Sequence, residues 1–203
     1  MLTVKKRSPH LHSVIQRTFK GDGVAHELIE RCFSHAVECG GLQELDFVRE
    51  EGVSFNPRPA RVALILLNNA QVNDAEIVAA GILASSSPLD ELKRLDVSER
   101  SRVLAHAAMG TPAEVIAIEP VIRFDVAVVA LSLWLDRIRH LHQAADSEAL
   151  GRWEEMLAET DRYIELAALT SAELHTLLIA WRERAAGGRE RQRSLLVEGS
   201  RSE

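Results

Sequence analysis

Apolar residues recur at three- and four-residue intervals along nearly the whole chain, and no stretch alternates apolar and polar positions between hairpin turns. Val24, Leu28, Cys32, Phe33, Ala36 and Val37 define the apolar face of a first helix, which Gly40-Gly41 closes. Residues 42–57, with Gly52, Asn56 and Pro57 and little periodicity, form the longest expected internal loop. Pro59 suits a first helical position ahead of Val62, Ala63, Ile65 and Leu66. Asn73 with Glu76 three residues on then reads as a capping-box-like start for Ile77 to Ala84.

Ser87-Pro88 and Thr111-Pro112-Ala113-Glu114 are two further N-terminal signals, and shorter helices are expected around 88–95, 98–109 and 112–118, with Gly110 stopping the middle one. From Pro120 to Leu141 the positions Ile122, Val126, Val129, Ala130, Leu133 and Leu141 mark a long helix whose middle is almost saturated with apolar residues. Such a helix belongs at the centre of a core. A helix from Ser147 to about Ala168 turns Leu150, Trp153, Leu157 and Ile164 inward. The last helix, Ala172 to Ala186, starts behind a Thr170…Glu173 box, carries Leu174, Leu177, Leu178 and Trp181, and is expected to stop at Gly187-Gly188. The pattern as a whole predicts an all-α bundle of about eight helices over residues 21–186. A basic arm over 1–20 precedes it, and an Arg-, Ser- and Glu-rich tail over 187–203 is expected to be mobile. No fixed-period repeat suggests a solenoid.

Composition narrows the function classes. The 203 residues are 46% hydrophobic and 27% charged, enough for one sizeable core. A net charge of -6 argues against an overall attraction to nucleic acid or to an anionic membrane. The most apolar run, Val126 to Leu135, is far shorter than the roughly 20 residues of a membrane span, and no apolar segment follows the Lys5-Lys6-Arg7 run to make a secretory signal. A soluble, cytoplasmic protein is the expectation. Cys32 and Cys39 stand two helical turns apart, roughly 10 Å of rise, too far for an intrahelical disulfide, so both are expected as thiols.

Residue types that do chemistry are present at spacings that do not serve it. His140 and His142 point about 200° apart on a helix, and His26 and His35 fall on opposite faces. His10 and His12 lie in the N-terminal arm, where a dihistidine site competes with a solvated segment, and His106 and His175 read as ordinary helix histidines. Glu154, Glu155, Glu159, Asp161 and Glu165 read as a solvated helix face. No zinc-protease, dinucleotide-binding, phosphate-loop or serine-hydrolase motif is present.

Three segments carry a resemblance: Arg58-Pro-Ala-Arg-Val-Ala-Leu-Ile-Leu66, Ala79-Ala-Gly-Ile-Leu-Ala-Ser85, and Val129-Ala-Leu-Ser-Leu-Trp-Leu-Asp-Arg-Ile-Arg-His-Leu141. In apolar register and helix order they resemble the RelA/SpoT-type hydrolase branch of the HD superfamily. The likeness extends to the Phe33…Gly40 and Glu159…Tyr163…Ala167 segments, over roughly residues 24–180. It implies an HD-domain-like all-α fold around a divalent metal, usually manganese, that activates water to release pyrophosphate from a guanosine alarmone. Carried over position by position, the family's first His falls on Arg58, its His-Asp pair on Ala84 and Ser85, and its last Asp on Leu133. Its Glu-Asp pair falls on Pro88 and Leu89, and its Asn on Arg137.

Loss of four ligands at three separate motifs, with the apolar register kept, implies that the metal centre is gone and that no metal cofactor is held. The expected protein is therefore a degenerate, catalytically silent HD-fold regulator that binds a guanine nucleotide or a partner protein. Arg58 and Arg137 are its candidate anion-binding pair. Two alternatives stand beside it. One is an active, manganese-dependent phosphohydrolase with displaced ligands such as His35, Asp125 and Asp136. The other is a helical interaction module, unrelated to HD hydrolases, whose basic arm (Lys5, Lys6, Arg7, Arg17, Lys20) contacts an acidic partner.

Overall fold

A computed structural model describes residues 4–39, 57–85, 96–139 and 147–199. All secondary structure among these residues is helical. In chain order the helices are α1 (Val4–Arg7), α2 (Pro9–Thr18), α3 (Gly23–Cys39), α4 (Arg58–Leu64), α5 (Ala75–Ala84), α6 (Glu99–Ala108), α7 (Pro112–Ala117), α8 (Pro120–Arg139), α9 (Ser147–Ala168) and α10 (Ala172–Gly199). Among the described residues no helix is long and apolar enough to cross a membrane. The expected loop over 42–56, the stop at Gly40-Gly41, the helix at 88–95 with its Ser87-Pro88 start, and His140 and His142 lie outside the described residues.

Helix α8 is the axis of the bundle. Val126 through Ser132 are buried without a break, which removes any one-sided stripe and leaves a helix surrounded by protein. It packs against α4, α5, α6, α7, α9 and α10. Helix α5 is similarly buried from Ile77 to Ala84 and lies between α3, α4, α6 and α8. Its close approach to α4 requires Gly81: a Cβ there would run into Leu66 Cδ1 and come within 3.3 Å of Val62 Cγ1. Between α4 and α5 the helix widens to a π turn over Ile65–Asn69 and reverses through Gln71, whose φ of 55° is a left-handed conformation uncommon for a side-chain-bearing residue.

Several boundaries differ from expectation. Residues 4–19 are packed helical structure and not a solvated basic arm. Ser8 caps α2 through the Leu11 N–H, Pro9 sits at its first position, and Val4, Leu11, Val14, Ile15 and Phe19 are buried. The apolar residues of this segment have helical spacing that its positive charges obscure. Val24 is 80% exposed, because the stripe that meets the core is Ala25, Ile29, Cys32 and Ala36, and Val24 lies about 100° round from Ala25. The cap of α5 is Asp74 and not Asn73, and the cap of α10 is Ser171 and not Thr170, whose hydroxyl donates to the Leu166 carbonyl.

Helix α10 does not stop at Gly187-Gly188 but continues to Gly199, so the expected mobile tail from 187 is helical backbone over most of its length. Glycine in a helix interior costs about 1 kcal/mol relative to alanine, which weakens a helix without ending it. Other boundaries agree with expectation. Thr111 and Glu114 form a complete capping box for α7, and α8 starts at Pro120.

Candidate functional site

Helices α4, α5 and α8 pack on one another in pairs and carry the positions expected to form the vacated metal centre. The first and third motifs meet directly, through Arg58 and Arg61 on α4 and Asp136 on α8, and the second lies on α5, which packs against both helices. The residues there do not suit a metal. Arg58, at the start of α4, brings a permanent cation. Ala84 and Ser85 are buried at the end of α5, and the Ser85 hydroxyl is spent on the Ile82 carbonyl at 2.6 Å. Leu133 is half-buried on α8, packed against the core while its side chain retains contact with solvent. Pro88 and Leu89 lie outside the described residues.

The buried charge in this region belongs to Asp136, one turn beyond Leu133. Its side chain is 3% exposed, and Arg61 grips it with two hydrogen bonds, Nε to Oδ1 at 2.8 Å and Nη2 to Oδ2 at 3.1 Å. Arg58 Nε stands 3.8 Å from Oδ2 of the same carboxylate. The fork-to-fork geometry and burial make this a strong, specific link between α4 and α8. Arg58 and Arg61 can share one acceptor because residues three apart lie on one helix face. A buried carboxylate is costly unless paired and hydrogen-bonded, so this helix crossing is built around the guanidinium groups.

Arg58 and Arg137, the candidate anion-binding pair, take different partners. Arg58 faces Asp136, whereas Arg137 is exposed and points about 100° round the helix. Its guanidinium lies 5.2 Å from the centroid of the Trp134 ring. Trp134 in turn stacks on Tyr163 of α9 at 4.4 Å and donates its indole N–H to Thr160 Oγ1 at 3.0 Å. Burial, with the Glu159 carboxylate adding to it and Arg137 opposing, pushes the Tyr163 phenol up to about 12. Arg137 thus serves a cation–π column that ties α8 to α9.

The displaced-ligand alternative is also not assembled. His35 contacts Cys39, with Nε2 3.1 Å from the sulfur, while Asp125 accepts from Arg100 and Asp136 from Arg61. Among the described residues no three His, Cys, Asp or Glu side chains are grouped to hold a metal ion, and that includes His10 and His12 on α2. Neither Cys32 nor Cys39 is in a disulfide. Burial, opposed by the charge of Arg31, pushes the Cys32 thiol up to about 12.

A second charge cluster escaped the sequence entirely. Arg100 on α6 donates to Asp74 at 2.7 Å, Glu76 at 2.8 Å and Asp125 at 2.8 Å, joining the start of α5 to α6 and α8. Burial alone would raise the Asp74 carboxyl, but hydrogen bonds from Arg100 and from the Glu76 and Ile77 backbone hold it below its ordinary value. Hydrogen bonds with Ser98 and Arg100 lower Glu76 likewise. Arg61 could have been flagged from its i,i+3 relation to Arg58. No comparable sequence signal marks Arg100. Comparison with known protein families, with curated proteins and with solved structures finds no match.

Proposed function

We propose that this chain is a degenerate, HD-like helical protein that works by binding another protein and has no metal-dependent phosphohydrolase activity. The observation that carries the reading is the Arg61–Asp136 fork with Arg58 beside it, where α4, α5 and α8 meet. Arg58, the position the resemblance would give to a histidine ligand, stands beside this link, and Asp136 lies one turn beyond Leu133, the position it would give to an aspartate. Neither Arg58 nor Leu133 can ligate that ion, and the Ser85 hydroxyl is turned to its own helix. Manganese chemistry therefore has no ligand set among these positions. A guanine nucleotide is the less favoured ligand, because its phosphates would need Arg58 and Arg137 together and the two serve different contacts. The cytoplasm is the setting in this proposal, since two unbridged cysteines suit a reducing compartment.

The test is incubation of the purified protein with manganese and guanosine tetraphosphate or pentaphosphate. No release of pyrophosphate above a protein-free control is expected. Turnover that a chelator abolishes would overturn the silent-enzyme reading. A thermal-shift screen of guanine and adenine nucleotides forms the second arm. Stabilisation lost in both Arg58→Ala and Arg137→Ala would overturn the protein-partner reading in favour of a nucleotide.

A further inference from the structure

A cleft of about 580 Å³ opens between the first half of α3, the start of α5 and residues 96–98 ahead of α6. Its apolar part is Val24, Leu28 and Val97, and the outward position of Val24 gives this surface an aliphatic knob with 80% of its area in water. Its charged part is one-sided. Among the described residues, Asp22, Glu27, Glu76 and Asp96 line it against one base, Arg31. Arg31 is bridged to both Glu27, at 2.7 Å, and Asp96, at 3.4 Å, so its charge is shared between two acids. The adjoining Arg100 cluster adds Asp74 and Asp125 and one guanidinium. Among the described residues the cleft and the adjoining cluster, which share Glu76, carry six carboxylates against two arginines.

We infer that this cleft is a docking site for a basic amphipathic helix or strand of a partner protein, with the partner's aliphatic side chains on Val24, Leu28 and Val97 and its lysines or arginines on the carboxylate rim. The inference rests on the proposal that the protein works by binding, and it commits that binding to a place. Charge complementarity selects the partner: an acidic or neutral segment would bring no counter-charge to the rim, while a basic one is steered to it. The exposed valine selects an amphipathic partner over a merely cationic one, because a fully polar polylysine would leave the valine in water. The outer rim carboxylates are well exposed, Glu27 at 72% and Asp96 at 104% of the side chain, whereas Glu76, Asp74 and Asp125 are drawn in towards Arg100. The outer carboxylates therefore contribute mainly to association rate and selectivity, and the apolar contact sets the residence time.

The experiment titrates the intact protein with three fluorescent peptides of equal length: a Leu/Lys amphipathic helix, its Leu/Glu counterpart and a Ser/Lys peptide with no apolar face. Binding of the Leu/Lys peptide alone is expected. It should weaken about tenfold in Val24→Lys and in Asp96→Lys, and be unchanged in Leu169→Lys, a substitution at an equally exposed apolar position away from the cleft. Both cleft substitutions are at exposed side chains, and far-UV circular dichroism confirms that each variant is folded. Equal binding of the Ser/Lys peptide, an equal loss in Leu169→Lys, or no binding of the Leu/Lys peptide would each overturn the assignment. These outcomes are independent of the pyrophosphate-release assay, so failure of the docking site and failure of the silent-enzyme reading are read separately.

Discussion

Substituting Asp136→Asn keeps the shape of the side chain and one acceptor oxygen but removes the charge that Arg61 and Arg58 enclose. Removing one partner from a fully buried ion pair costs about 3–5 kcal/mol, because the surviving charge is left desolvated. Here the survivors are less buried than the acid: the side chains of Arg61 and Arg58 are 25% and 29% exposed, so each recovers part of its hydration when Asp136 is neutralised. The asparagine also retains one hydrogen bond to Arg61. The expected loss is therefore lower, about 2–3 kcal/mol, equivalent to roughly 5–10 °C in Tm for a chain of this size. Urea unfolding followed by the helical circular-dichroism signal measures it, with Arg61→Gln and the double variant completing a thermodynamic cycle. A coupling energy above about 1 kcal/mol is expected, little changed by salt because the contact is shielded from solvent. As an internal control Glu27→Gln, which breaks the exposed bridge to Arg31, should stay within about 0.5 kcal/mol of wild type. An Asp136→Asn variant as stable as that control, or a cycle with no coupling, would refute the buried fork as the element that holds α4 on α8.

Arg100→Ala should destabilise the protein near neutral pH more than at acid pH. Asp74 and Glu76 have folded-state pKa values below their ordinary range, so their contribution is present above about pH 4.5 and fades as pH falls through the folded values. Urea midpoints of wild type and variant that do not converge between pH 6 and roughly pH 3 would refute this. Gly81→Ala should cost about 1–3 kcal/mol despite the higher helix propensity of alanine, since the new methyl group enters the space of Leu66 and Val62; a stabilised variant in thermal melts would show that α4 and α5 are not in close contact. Thiol labelling of the folded protein at mildly alkaline pH should modify Cys39 and spare Cys32, which is buried and titrates at about 12, until denaturant is added. Peptide mapping that finds both labelled at equal rates would contradict the burial of Cys32.

The amino-acid order by itself determined that the protein is all-α and where its central helix runs. Helical periodicity and caps are local properties: the Thr111…Glu114 box, Gly110 and the apolar saturation of 126–131 act within a few residues of themselves. Boundaries failed where local signals were outweighed. The Lys5-Lys6-Arg7 charges hid Leu11, Val14 and Ile15, which burial makes decisive for α2, and Gly187-Gly188 was too weak a penalty to end α10. Under the proposed reading the candidate site was legible only as an expected loss of ligands, at Arg58, Ala84, Ser85 and Leu133. The Arg61–Asp136 fork could not be read, because the two residues are 75 positions apart and meet only through the crossing of α4 and α8. The same holds for Arg100, whose three carboxylates come from the cap and first turn of α5 and from α8. Long-range electrostatic partners are chosen by the packing of apolar faces, which brings charges together that have no relation along the chain, and so only the tertiary structure decided them.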